Sequence, residues 1–164
     1  MSLTGSVVLV TGGGSGIGAA TARLAAARGA TVGVVDRSLE HAAAVAGSIE
    51  ASGGTTAAIE CDVADDEAVA AAVRSMAGLG RISGVVTSAG IFDGPDLQPL
   101  AGVTIDTFRH VLDVNLGGTF SAIKHSLPQL VDGGGSVVTI ASTAALRGHG
   151  TARVTPRARV ASMR

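Results

Sequence analysis

The chain contains no tryptophan, no tyrosine and only three phenylalanines. Any core must therefore be built from Ala, Val, Leu and Ile, and phenol chemistry has no residue to carry it. Cysteine is nearly absent too. Cys61 stands alone, which rules out an internal disulfide and, with no matching histidine cluster, gives no metal signal. A lone thiol suits a reducing compartment. No excess of one charge sign exists: the formal net charge is −1, which argues against a nucleic-acid partner. No apolar run approaches the length of a membrane span, and the start lacks the charged and apolar regions of a secretory signal. The chain is expected to be soluble and cytoplasmic, with no membrane partner.

What is present is aliphatic and periodic. The 164 residues are 46% hydrophobic, enough for one domain with a real core and too apolar for disorder. Short β-branched runs at 6–11, 31–36, 55–60, 82–88 and 136–141 read as strands. Between them, 16–28, 38–52, 65–77 and 104–130 read as helices, with Gly29 closing the first and Ser38 capping the second. Asp65, Asp66 and Glu67 suit the N-terminus of the third helix. Strands near-continuous in apolar residues and alternating with helices predict a parallel, doubly wound α/β sheet. Its predicted order is 3-2-1-4-5 under the right-handed crossover rule.

Thr11-Gly12-Gly13-Gly14-Ser15-Gly16-Ile17-Gly18 lies between the first strand and the first helix, the context in which a glycine-rich turn signals a dinucleotide phosphate. Gly12 permits the sharp turn, Gly16 lets backbone approach a pyrophosphate, and Gly18 lets the helix pack on the strand. The helix dipole and its free amides favour an anion. Asp36 ends the second strand eighteen residues beyond Gly18. A carboxylate there accepts from ribose hydroxyls and repels a 2′-phosphate, favouring NAD over NADP. Arg37 follows directly and could instead pair with a 2′-phosphate. Four scattered histidines, His41, His110, His125 and His149, lack ligand spacing and read as surface residues.

With these features in order, the chain resembles the short-chain dehydrogenase/reductase family. Thr11, Gly12, Gly16 and Gly18 meet that family's version of the turn. Cys61-Asp62-Val63 matches its Asp-Val pair after the third strand, which contacts adenine. Thr87-Ser88-Ala89-Gly90 falls where the family has Asn-Asn-Ala-Gly. Val114-Asn115-Leu116 matches its helix asparagine, which helps hold a proton-relay water. The run 135–142 resembles its fifth strand, ending at a catalytic serine, Ser142. The resemblance implies a Rossmann-type domain over 1–152. It places Ser15, Ile17, Val63, Ser88, Ala89 and Gly90 beside Gly12, Gly16, Gly18, Asp36, Arg37 and Asp62 in cofactor binding. It implies an NAD(P)-dependent oxidoreductase acting on a small alcohol or carbonyl compound, with homo-oligomers among full-length relatives.

The family also has a Tyr-x-x-x-Lys pair, its tyrosine thirteen residues after the serine. Here those places hold Thr155 and Arg159, and the only lysine is Lys124. The segment 153–164 differs from the rest: it holds Arg153, Arg157, Arg159 and Arg164 and no acid, and without it the chain has 8 basic and 13 acidic residues. Read one nucleotide earlier, one choice of codons for 153–164 spells Gly-Tyr-Thr-Ala-Ser-Lys-Gly-Gly-Val-Asp-Ala. That places a tyrosine and a lysine where Thr155 and Arg159 stand, so the segment reads as a frameshift. The expectation is a family member whose catalysis is lost and whose fifth strand forms an uncovered sheet edge. The alternatives are a non-catalytic dinucleotide-binding or regulatory protein, and an unrelated doubly wound protein using the turn for another phosphate.

Overall fold

The computed structural model describes residues 2–91 and 100–142. Its elements run β1 (Val7–Thr11), α1 (Gly16–Ala27), β2 (Thr31–Asp36), α2 (Leu39–Ala51), β3 (Thr55–Glu60), α3 (Asp66–Met76), β4 (Ile82–Thr87), α4 (Ile105–Leu112), α5 (Gly118–Gly133) and β5 (Ser136–Thr139). The five strands are all parallel and form one sheet in the order β3-β2-β1-β4-β5, as the alternation predicts.

Helices cover both faces, which is why β1 is buried at every position. On one face Val8, Val10, Val32 and Val34 pack against Ala19, Ala22, Ala42 and Val45 of α1 and α2. On the other, Leu9, Val35 and Val85 pack against Val73, Met76, Ala122 and Leu130 of α3 and α5. Small residues let the layers approach closely. A side chain on Gly33 would strike Met76, and one on Gly118 would reach within 2.7 Å of Val63 Cβ.

Two elements differ from the sequence reading by more than one residue at an end. The stretch 104–130 is not one helix. It is interrupted by a π-turn at Asp113–Gly117 and continues to Gly133. The cause is tertiary. Asn115, buried within the turn, accepts the N–H of Ile91 at 2.8 Å and donates to its carbonyl at 3.2 Å. The fifth strand ends at Thr139 rather than 141, though the Ile140 N–H still donates to the Thr87 carbonyl. His125 is only partly exposed: its ring is bonded to Asp66 at 2.9 Å. His41 and His110 are exposed, and His149 lies outside the described residues, as does the whole of 153–164.

Candidate functional site

Parallel strands direct their C-terminal ends to one edge of the sheet, where doubly wound folds place ligands. At that edge a cavity of about 540 Å³ opens. Its walls are the glycine turn after β1, the end of β2, the loop after β3 and the loop after β4, with His110 and Val114 contributed by α4 and the π-turn.

The glycine turn is shaped by contact rather than by flexibility. A Cβ on Gly12, whose φ is +64°, would lie 2.7 Å from Ala89 Cα, so the turn meets the loop after β4 backbone to backbone. A Cβ on Gly18 would collide with the Gly12 carbonyl. Gly16 has φ +52° and, among the described residues, nothing within 4 Å of its Cβ position, leaving bare main chain at the cavity wall. Ser15 caps α1 without any side-chain hydrogen bond, and no acid occupies the first turn. By contrast α2, α3 and α4 are capped by the side chains of Ser38, Asp65 and Thr104. Among the described residues the first amides of α1 thus meet no side-chain acceptor, a setting suited to an anion.

Asp36 faces the same cavity. Its carboxylate is held by the N–H groups of Gly14 at 2.9 Å and Ser38 at 3.0 Å, which fixes its orientation and leaves lone pairs for a further donor. Arg37 beside it is exposed. Beyond β3, Asp62 makes its own turn by accepting the Ala64 N–H at 2.9 Å, while Asp65 is the residue that caps α3. Burial, then the neighbouring Asp62 and Asp65 charges, push the Cys61 thiol up to about 11. After β4, the Ser88 and Ala89 N–H groups donate to the Thr11 carbonyl and hydroxyl at 3.2 and 3.3 Å. The Thr87 hydroxyl, where the resemblance expects an asparagine amide, is buried with no hydrogen-bond partner among the described residues.

Of the sequence-predicted residues, Gly12, Ser15, Gly16, Ile17, Asp36, Arg37, Asp62, Val63, Ser88, Ala89 and Gly90 all line this cavity. Gly18, Asn115 and Ser142 do not. Gly18 serves helix packing, Asn115 grips the backbone of the lining residue Ile91, and half-buried Ser142 lies three residues past β5. The lining also includes Ser38, His41, Cys61, Ile91, His110, Val114 and Ile140. Ser38, Cys61 and Val114 adjoin motif residues, which was the available signal. His41 and His110 carried none.

Residues 6–154 match the family model for short chain dehydrogenases. The chain belongs to that family. It is 40% identical over 149 residues to the 2,5-dichloro-2,5-cyclohexadiene-1,4-diol dehydrogenase of Sphingobium indicum, covering 89% of this chain and 58% of the relative. A dehydrogenase/reductase from Sinorhizobium meliloti superposes with a TM-score of 0.91 at 36% identity, over 98% of this chain and 63% of that one. A 7α-hydroxysteroid dehydrogenase in complex with NADH superposes with a TM-score of 0.91 at 28% identity, over 98% and 62%. The chain thus spans about three fifths of the length of these relatives.

Proposed function

We propose that this chain is the dinucleotide-binding portion of an oxidoreductase that moves a hydride between NAD and an alcohol or carbonyl carbon, and that the chain itself turns over negligibly. The observation that carries the reading is one cavity lined by both the uncapped start of α1 and the oriented Asp36 carboxylate. The nicotinamide supplies the hydride chemistry when bound. The protein's part is to hold it. The α1 amides and dipole take the pyrophosphate, and Gly16 lets the main chain approach. Asp36 accepts from a ribose hydroxyl and repels a 2′-phosphate, which favours NAD over NADP.

Ser142 would donate to the substrate oxygen, and Asn115 would keep the loop at Ile91 in place while helping to hold a relay water. The proton is the weak point. Serine and threonine hydroxyls are too weakly acidic to give one up near neutrality, so neither Ser142 nor Thr155 replaces a tyrosine. Arg159 is charged but cannot mimic a compact ammonium. The frameshift reading of 153–164 accounts for both losses.

Calorimetry should find NAD binding more tightly than NADP, with the preference weakened in Asp36→Ala. Tighter binding of NADP to the unmutated chain would overturn the NAD assignment. The chain as given should show negligible dehydrogenase activity, and restoring the shifted frame should recover it. Robust turnover by the 164 residues, or a coding sequence whose shifted frame lacks the Tyr-x-x-x-Lys pair, would sink that account. The lack of any tyrosine also favours a second reading, a dinucleotide-binding regulator. It would stand if the shifted frame encoded no such pair while NAD still bound.

A further inference from the structure

We propose that Thr119 is a positioning residue, whose hydroxyl fixes the π-turn in the register that builds the α4 side of the cavity. The proposal rests on the cavity being a dinucleotide site and deepens that reading. Thr119, the second residue of α5, is buried, and its Oγ1 donates to the Asn115 carbonyl at 3.1 Å. The turn is closed by the Gly118 N–H, which reaches back to the Asp113 carbonyl. Asn115 in turn holds both main-chain polar groups of Ile91, a cavity-lining residue. Its neighbours touch the cavity as well. Val114 lines it directly, and His110 does so one turn earlier. Gly118 packs so closely on Val63, another lining residue, that a Cβ would lie 2.6 Å from Val63 Cγ2.

A hydroxyl bonded to the carbonyl four residues back is common in helices, and Thr21 and Ser52 make that bond at exposed positions. Burial alone does not compel it. Ser126, fully buried further along α5, has no hydrogen-bond partner among the described residues. What sets Thr119 apart is the carbonyl it takes. Asn115 lies inside the π-turn, which carries one residue more than an α-turn, about 100° of extra rotation about the axis. The location of that extra residue decides whether Asn115 or a neighbour meets Ile91, and which side chains of α4 face the cavity. By tying the start of α5 to Asn115 itself, the Thr119 hydroxyl pins the location. Thr119 does not line the cavity and acts through Asn115.

The test is amide hydrogen exchange and NAD calorimetry on the full 164-residue chain and on Thr119 variants. Thr119→Val removes the hydroxyl and keeps the shape. Thr119→Ala removes it without a branched apolar group, and Thr119→Ser keeps it. The Ile91 amide reports the grip of Asn115, and the Val10 amide, in a fully buried strand position, reports global unfolding. In Thr119→Val and Thr119→Ala, exchange at Ile91 should quicken by about three- to tenfold more than at Val10, the scale of one hydrogen bond. NAD should bind more weakly by a similar factor. Thr119→Ser should stay close to the unmutated chain in both. A hydroxyl that serves stability alone would speed both amides together and leave NAD affinity unchanged, which would overturn the proposal. So would a loss in Thr119→Ser equal to that in Thr119→Val. Selective loosening of Ile91 in a chain whose unmutated form binds no NAD would overturn the dinucleotide reading while bearing out the pinning of the turn.

Discussion

A methyl group on Gly18 has nowhere to go but into the carbonyl of Gly12. Gly18→Ala should therefore destabilise the fold by about 1–3 kcal/mol, the usual cost of overpacking. Gly47, in mid-α2 with nothing within 4 Å of its Cβ position, is the control. Gly47→Ala should stabilise by about 0.5–1 kcal/mol through helix propensity. Urea unfolding of the two variants checks both signs. Cys61 offers a pH test. Its thiol is shifted from 9.0 to about 11, so the folded state holds this proton more tightly than the unfolded state does. The contribution is fully present below pH 9 and is lost as pH rises toward 11. Alkylation at neutral pH should be slow in the folded chain and fast in denaturant, and rapid native labelling would contradict the burial. Gly12, Gly18 and Asp36 were legible because their motif states a backbone requirement. His41 was not, because its place in the cavity depends on which turn α2 packs beside.

Between elements, Asp66 joins the start of α3 to α5. It accepts from Ser121 at 2.6 Å, Lys124 at 2.9 Å and His125 at 2.9 Å, which hold its carboxyl well below the usual carboxylate range, the Ser121 bond first. A depressed carboxyl stabilises above its ordinary range and loses that contribution as pH falls below about 4. Asp66→Asn should lower the melting temperature at neutral pH and flatten the acid limb of the stability curve. Unchanged melting, or an acid limb as steep as before, would show the cluster to be idle. Sequence showed only acids suited to a helix dipole here, because the partners lie more than fifty residues away. The π-turn was hidden for the same reason. Asp113-Val-Asn-Leu-Gly reads as ordinary helix until Ile91 is brought against Asn115. Strands β2 and β3 were legible to the residue, since each is a short run that opens on threonine and closes on an acid.

For the molecule as a whole, the strand order β3-β2-β1-β4-β5 is the one expected from the alternation of strands and helices with right-handed crossovers. At one end of the sheet β5 pairs only with β4 among the described residues, where Val137 and Val138 are 40% and 52% exposed. Exposed apolar edge strands promote association. Val138→Lys should reduce light scattering at high protein concentration, and equal scattering would place the sticky surface elsewhere. The sheet's order also imposes a timetable on synthesis. β1 is central, yet it emerges first. Its neighbour on one side begins at Thr31, but on the other Val7 waits for Ile82 and Thr11 for Thr87. At about 5–20 residues per second, roughly 4–15 s separate the making of Thr11 from that of its second partner. Throughout that interval an aliphatic strand has one edge open on the ribosome, and shielding it falls to the cell rather than to the fold.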